Sequence, residues 1–221
     1  MSITREMLML HGYKRTTIEE IARRAGIGKG TVYLHWRTKD ELVEDLIQQE
    51  LAGVFGALLI ATRRDHRACM LHHVIYSIFT TAEQYPLFRA FYTGDRETLG
   101  RLAGRGGGRG SEERYRLSAL PPFREYLATL MENECLRPGL TLEATSDGLD
   151  ALTAGFFVTE GGSRAGWHGP QIRRRAMTLA MMVRSSFEGP GIPDAQALRR
   201  VSERMQIVFQ AYLTPASALT R

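Results

Sequence analysis

The stretch that decides the fold runs from Thr16 to Lys39 and has the sequence TTIEEIARRAGIGKGTVYLHWRTK. Its apolar residues recur at three- and four-residue steps, which predicts a first helix with one packing face. That face holds Ile18, Ile21, Ala22 and Ala25. A threonine before the run and a glutamate three residues later form the pattern of a capping box, so the helix begins at Thr16 or Thr17.

A tight turn and a second helix follow this first helix. Gly26 is suited to the left-handed conformation that ends a helix, and we expect Ile27 to hold the turn in the core. The second helix is predicted from residue 29 or 30 to Trp36, with Val32 facing the shared core. This orientation leaves the other residues on the outer surface, namely Gly28, Lys29, Thr31, Tyr33, Leu34 and His35. The spacing is that of a helix-turn-helix.

The whole run resembles the N-terminal DNA-binding domain of the TetR family of bacterial transcriptional regulators. The resemblance covers roughly the first fifth of the chain, beyond which only the family's helical plan is carried over by analogy. It rests on Gly12-Tyr13, Thr16-Thr17, Ile21-Ala22, Ala25-Gly26-Ile27, Gly30-Thr31-Val32-Tyr33, His35-Trp36 and Lys39-Asp40-Glu41-Leu42. It implies an all-α protein with a three-helix helix-turn-helix DNA-binding head and a larger helical body for ligand binding and dimerisation.

The charge distribution separates DNA binding from the alternative, a helical hairpin that never touches nucleic acid. Residues 1–39 contain eight lysines and arginines against three acidic residues, which gives the +5 formal charge of the entire chain. The remaining residues hold 21 of each sign. The excess therefore lies where contact with phosphates would release counterions.

Eight residues are our candidates for DNA binding. Hydroxyl, amine, phenol and imidazole groups hydrogen-bond to phosphates or base edges, and a leucine contacts a thymine methyl. We assign phosphate contacts to Thr17, Tyr33 and Lys39, positions near bases to Lys29, Thr31, Leu34 and His35, and close backbone approach to Gly30. The phosphate contact of Lys39 is also implied by the resemblance, and its alternative is a solvated surface lysine.

The predicted organisation has a DNA-binding domain at residues 1–39, a linking helix at 40–61 and an effector-binding and dimerisation domain at 62–221. The first helix is expected from Ile3 to Leu10, with Ile3, Met7 and Leu10 on its packing face. In the family this helix is longer and follows a basic arm. Either the natural start lies upstream of Met1, or this protein lacks those contacts.

The body is predicted to be helical, with two glycine-rich loops at residues 104–110 and 161–170. Its predicted helices are about 65–84, one from 87, 95–103, 123–136, 142–160, 171–187 and 194–213. The family pairs two C-terminal helices of each subunit into a four-helix bundle, and we favour 142–160 and 194–213 for this homodimer interface.

The resemblance also implies a cavity in the body for a small, mainly apolar effector. The alternative for each aromatic residue is ordinary core packing. Our candidates for contact with the effector are His73, Phe88, Tyr92, Phe123, Tyr126, Thr153, Phe156 and Phe157.

Other classes of protein are disfavoured. No apolar stretch of membrane-spanning length and no signal peptide is present, which predicts a cytoplasmic protein. His66, His72 and His73 lack the spacing of metal ligands, and no cofactor is predicted. Cys69 and Cys135 are expected to be two buried thiols, with a redox pair as the alternative.

No catalytic motif occurs, so we predict no enzyme. The sequence favours a DNA-binding regulator, a homodimeric repressor released from its double-stranded operator by a small effector. The alternative is an all-helical protein-interaction adaptor.

Overall fold

The computed structural model describes residues 1–104, 117–159 and 170–213. Apart from short 3-10 turns, the regular structure of these residues consists of α-helices. They are α1 (Ser2–Arg15), α2 (Ile18–Ala25), α3 (Lys29–His35), α4 (Lys39–Arg64), α5 (Leu71–Thr81), α6 (Pro86–Thr93), α7 (Arg96–Leu99), α8 (Pro121–Glu132), α9 (Leu142–Val158), α10 (Pro170–Phe187) and α11 (Ala195–Leu213). The described ranges contain no named strand, only a bridge between Leu136 and Glu188, so the predicted all-α class is confirmed.

Local signals set the ends of α2. The side chain of Thr17 accepts a hydrogen bond of 3.2 Å from the Glu20 amide, which makes Thr17 the cap. The carboxylate of Glu20 pairs with Arg23 and Arg24 instead, so the capping box is only half formed. Gly26 ends the helix at φ +67°, as predicted.

The small core of the head joins α1, α2, α3 and the start of α4. Its buried residues are Met7, Ile18, Ile21, Ala22, Val32 and Leu42, with Ile3 and Trp36 partly buried against them. Three residues expected in this core are outside it: Ala25 is exposed, Ile27 is 46% exposed and Leu10 is 60% exposed. Helical periodicity identifies a face, but the edge of that face reaches solvent when the partner helix is short.

The first helix is longer than predicted and is kinked at Gly12. The backbone of Gly12 has φ 72° and ψ 174°, a conformation that side chains with a Cβ rarely adopt. A Cβ at this position would also lie 2.6 Å from the carbonyl oxygen of Glu97. Only glycine therefore allows α1 to continue to Arg15 while it packs against α7.

The contacts divide the chain into two compact units. The described part of the first unit comprises residues 1–53 and 84–104, and that of the second comprises 54–83, 117–159 and 170–213. Helix α4 contributes residues to both. The functional boundaries expected from the sequence, at residues 39 and 61, stay a prediction.

The second unit has an aromatic core. Phe55 stacks on Phe209 with ring centroids 4.7 Å apart, and Tyr126 lies 6.2 Å from Phe209. Helix α5 packs on α10, and α8 packs on α11. The helix expected at 65–84 is shorter, because a 3-10 turn at His66–Cys69 precedes α5.

The two predicted glycine-rich loops lie outside the described residues, apart from their end residues Gly104 and Pro170. None of the helices in the described ranges combines the length and the apolar character that crossing a membrane requires.

Candidate nucleic-acid interface

Helix α3 is oriented by a single buried side chain. Val32 is 2% exposed and belongs to the head core, which fixes the rotation of the helix about its axis. Gly28 precedes the helix, and the amide of Trp36 closes it on the carbonyl oxygen of Val32 at 3.0 Å. Because one face is fixed inward, the opposite face is fixed outward.

We call the exposed side chains of α3 the recognition face. It consists of Lys29, Thr31, Tyr33, Leu34 and His35. Leu34 is 84% exposed and Tyr33 is 43% exposed, and the Tyr33 hydroxyl has no hydrogen-bond partner among the described residues. A Cβ at Gly30 would meet nothing within 4 Å. The outward orientation predicted for this helix is therefore confirmed, while its contacts with DNA stay a prediction.

Lys29 forms an ion pair with a residue of the preceding helix that its position in the sequence does not indicate. Its amine pairs with the carboxylate of Glu19 on α2 and lies 5.6 Å from the centroid of the Tyr33 ring. The hydrogen bond between them lowers the pKa of Glu19 and raises that of Lys29. Both groups are exposed, so the pair is open to competition from a phosphate or a base edge.

Thr17 retains a donor for a ligand. Its oxygen accepts a hydrogen bond from the Glu20 amide, which leaves the hydroxyl proton available as a donor. The side chain is exposed at the start of α2. Capping and a phosphate contact are therefore compatible.

Lys39 uses part of its hydrogen-bonding capacity within the protein. Its amine donates to the carbonyl oxygens of Tyr13 and Thr16 at 2.8 and 2.9 Å and lies 3.8 Å from the centroid of the Tyr13 ring. Burial lowers the pKa of this amine, while the neighbouring Asp40 opposes that shift. An ammonium has three N–H donors, so one remains for a phosphate.

Further contacts connect the end of α1 to the start of α4. The Tyr13 hydroxyl donates to Asp40, and Arg101 pairs with the same carboxylate. We call the set of Tyr13, Thr16, Lys39, Asp40 and Arg101 the anchor. No local pattern in the sequence indicates this role of Arg101, because 61 residues separate it from Asp40.

A buried carboxylate supports the same unit. Glu50 is fully buried and accepts hydrogen bonds from Arg5 at 2.6 Å and from the amides of Leu87 and Phe88 at 2.7 and 2.8 Å. Burial raises the pKa of Glu50, and the three donors offset that effect only in part. This carboxylate connects α1 and α4 to the first turn of α6.

Residues 1–46 match the family model described as bacterial regulatory proteins, tetR family. The match covers about a fifth of the chain, so it is this N-terminal part that is similar to the family. All eight predicted DNA-binding positions fall within the matched range.

Known regulators match part of the chain. The HTH-type transcriptional repressor KstR2 of Mycolicibacterium smegmatis is 40% identical over 45 residues, which cover 20% of this chain and 22% of that protein. The uncharacterized HTH-type transcriptional regulator YvkB of Bacillus subtilis is 33% identical over 67 residues, which cover 30% of this chain and 35% of that protein. The matches thus span less than two thirds of either relative.

A solved structure described as a tetR family transcription regulator from Shewanella sp. PV-4 has 17% sequence identity to this chain and a TM-score of 0.49. The comparison covers 81% of this chain and 92% of that one.

The residues predicted to contact an effector are divided between the two units. Phe88 and Tyr92 lie in the first unit, with ring centroids 6.1 Å apart. The other candidates lie in the second unit, namely His73, Phe123, Tyr126, Thr153, Phe156 and Phe157.

Within the second unit the polar candidates already have partners in the protein. The hydroxyl of Tyr126 donates to the Cys69 carbonyl oxygen at 2.6 Å, and that of Thr153 donates to the Leu149 carbonyl oxygen at 2.8 Å. His73 is exposed at the surface. These contacts are those of core packing and helix surface, and an effector site at these residues stays a prediction.

Proposed function

We propose that the chain is a DNA-binding transcriptional regulator that contacts the major groove through the recognition face. The observation that carries the proposal is the exposure of this face on a helix whose rotation Val32 fixes. The Tyr33 hydroxyl, which has no hydrogen-bond partner among the residues described, and the 84% exposed Leu34 are neighbours on this face. Groups of this kind contact phosphates, base edges and thymine methyls.

The charge of the chain supports a polyanionic partner. The excess of positive charge lies within residues 1–39, and the match to the tetR family covers the same part of the chain. A helical adaptor would need an apolar surface more than a localised positive charge. DNA is therefore the partner that we propose for this surface.

The full proposal is a homodimeric repressor released by a small, mainly apolar effector. Two heads are needed to contact two half-sites of an approximately palindromic operator. Exposed Met177 and Met181 stand one turn apart on α10, and Ile207 is exposed on α11, so these helices offer apolar surface for a second copy. We therefore add α10 to α9 and α11, the two helices favoured by the sequence, as a candidate for the interface.

The test is salt-dependent binding of the purified chain to DNA from upstream of its own gene, measured by fluorescence anisotropy against a scrambled duplex of equal length. Specific affinity should fall by on the order of 10³-fold between about 50 and 200 mM salt if the dimer contacts several phosphates. Tyr33→Phe removes one hydroxyl and should weaken binding about five- to ten-fold. Tyr33→Ala should weaken it further and leave the dimer folded.

The matched control is Tyr76→Phe, which removes a tyrosine hydroxyl that has no described partner from the second unit. This variant should bind DNA like the parent chain. Equal affinity of Tyr33→Phe and the parent chain would remove Tyr33 from the interface. Binding that is absent or insensitive to salt with both duplexes would favour the adaptor.

A further inference from the structure

A cleft of about 880 Å³ lies within the first unit, at the end of α1 and beside α7. We call it the basic cleft. Its lining includes Leu10, Tyr13, Lys14, Arg15, Arg96 and Arg101. Sites for small molecules commonly have volumes of about 300–1,000 Å³. The cleft is therefore of a suitable size for a small ligand, and it is separate from the residues predicted to contact an effector.

The charge of the basic cleft is unbalanced. The exposed Lys14, Arg15 and Arg96 form no ion pair with any residue that the structure describes. Arg101 pairs with Asp40, and Glu97 is the acidic member of the described lining. Beyond the pair of Arg101 and Asp40, three cations against the carboxylate of Glu97 favour an anionic occupant.

The cleft also has an apolar part. Leu10 falls on the predicted packing face of α1, yet it is 60% exposed and lines this cleft. The ring of Tyr13 lies beside it in the lining. Together these two side chains offer an apolar surface next to a row of cations.

We propose that the basic cleft binds a small amphipathic anion, a carboxylate or phosphate ester with an aliphatic or aromatic body. Lys14, Arg15 and Arg96 bind the anionic group, and Leu10 and Tyr13 pack against the body. A concave site with an apolar part suits such a molecule better than a DNA phosphate, which needs only surface cations.

Occupancy of the cleft is connected to the anchor through Arg101. An anion in the cleft competes with Asp40 for the Arg101 guanidinium, and Asp40 also accepts the Tyr13 hydroxyl. Both contacts end at the start of α4, next to Lys39. A consequence for DNA affinity rests on the function proposed above, whereas binding of the anion does not.

The test measures binding without DNA, by equilibrium dialysis of octanoate and phenyl phosphate, with uncharged octanamide as the neutral probe. The double variant Arg15→Gln/Arg96→Gln should bind both anions about ten-fold more weakly than the parent chain. The matched control is Arg173→Gln/Arg174→Gln, which removes two exposed arginines from α10. It should retain the affinity of the parent chain, and octanamide should not distinguish the three proteins.

Three outcomes would overturn the proposal. One is the absence of saturable anion binding by the parent chain up to roughly 10 mM. Another is an equal loss in both double variants, which would indicate net charge alone. The third is a loss of DNA affinity in the cleft variant without any binding of the small anions, which would assign the cleft to DNA phosphates. Saturable anion binding by a chain that binds no DNA would retain the cleft and refute the regulator.

Discussion

The recognition face and four of the five anchor residues lie within the range that the family model matches, with Arg101 outside it, yet the polar groups of the two regions make different contacts. On α3 the Tyr33 hydroxyl has no hydrogen-bond partner in the described part of the chain, and Leu34 is 84% exposed. In the anchor, the Lys39 ammonium donates two of its three hydrogen bonds to carbonyl oxygens. The Asp40 carboxylate accepts hydrogen bonds from the Tyr13 hydroxyl and the Arg101 guanidinium. The recognition face is therefore available to a binding partner, whereas the anchor holds the helices in place.

This difference implies that substitutions in the two regions change different quantities. A change in or under the anchor should lower the free energy of unfolding. A change on the recognition face should leave folding intact and alter the affinity for DNA. Lys39 stands between the two classes, because two of its bonds hold α1 while a contact of its third donor with phosphate stays a prediction.

The largest expected effect comes from Gly12→Ala beneath the anchor. The strained backbone at φ 72° and the Cβ position 2.6 Å from the Glu97 carbonyl should together lower the free energy of unfolding by about 3 kcal/mol. Chemical denaturation measures this change. Gly26→Ala is the comparison, because Gly26 also has positive φ but its Cβ would meet nothing within 4 Å, so we expect a loss of about 1 kcal/mol. Equal losses would show that the approach of α7 to Gly12 contributes nothing.

The next effect concerns the buried carboxylate of the same unit. Glu50→Gln keeps the shape of the side chain but loses the pairing with Arg5, and it should cost about 1–2 kcal/mol near neutral pH. Burial raises the pKa of Glu50 in the folded state above its ordinary 4.5. The protonated carboxyl therefore makes its full contribution to the free energy of unfolding when the pH is below 4.5. It is lost as pH rises through the raised value.

The measurement is the difference in unfolding free energy between the parent chain and Glu50→Gln over a pH series. The advantage of the parent chain should be greatest at the acid end and should shrink as pH rises above 4.5. An advantage that grows with pH over that window would mean that the three donors outweigh burial.

The helix-turn-helix was predictable because its signals are local. Thr17 as a cap, Gly26 in the left-handed conformation and Val32 inward follow from residues that are near one another in the chain, and all three are confirmed. Ile27 and Leu10 were expected in the core and are exposed, because periodicity does not reveal how far a neighbouring helix extends.

The partners of the site residues were not predictable, because they come from distant parts of the chain. Glu19 and Lys29 meet across a turn, and Arg101 reaches Asp40 from 61 residues away. The aromatic candidates show the same limit. The resemblance implied one cavity lined by Phe88 and Phe123, but the contacts assign these residues to different units, since aromatic residues stabilise any core that they enter.

The smallest expected change in stability gives the sharpest test of the difference between the recognition face and the anchor. The free energy of unfolding should rise while the affinity for DNA falls. Gly30→Ala adds a methyl group where nothing lies within 4 Å, and alanine favours a helix by about 0.5–1 kcal/mol, so the free energy of unfolding should rise. If the backbone of α3 approaches DNA closely, the same methyl group should weaken DNA binding by about 1 kcal/mol. Gly56→Ala in α4 is the control, because its Cβ also meets open space, and it should stabilise the chain without changing DNA affinity. A Gly30→Ala chain that is more stable and binds DNA as tightly as the parent would place the DNA against the longer side chains of the recognition face, with no close approach at Gly30.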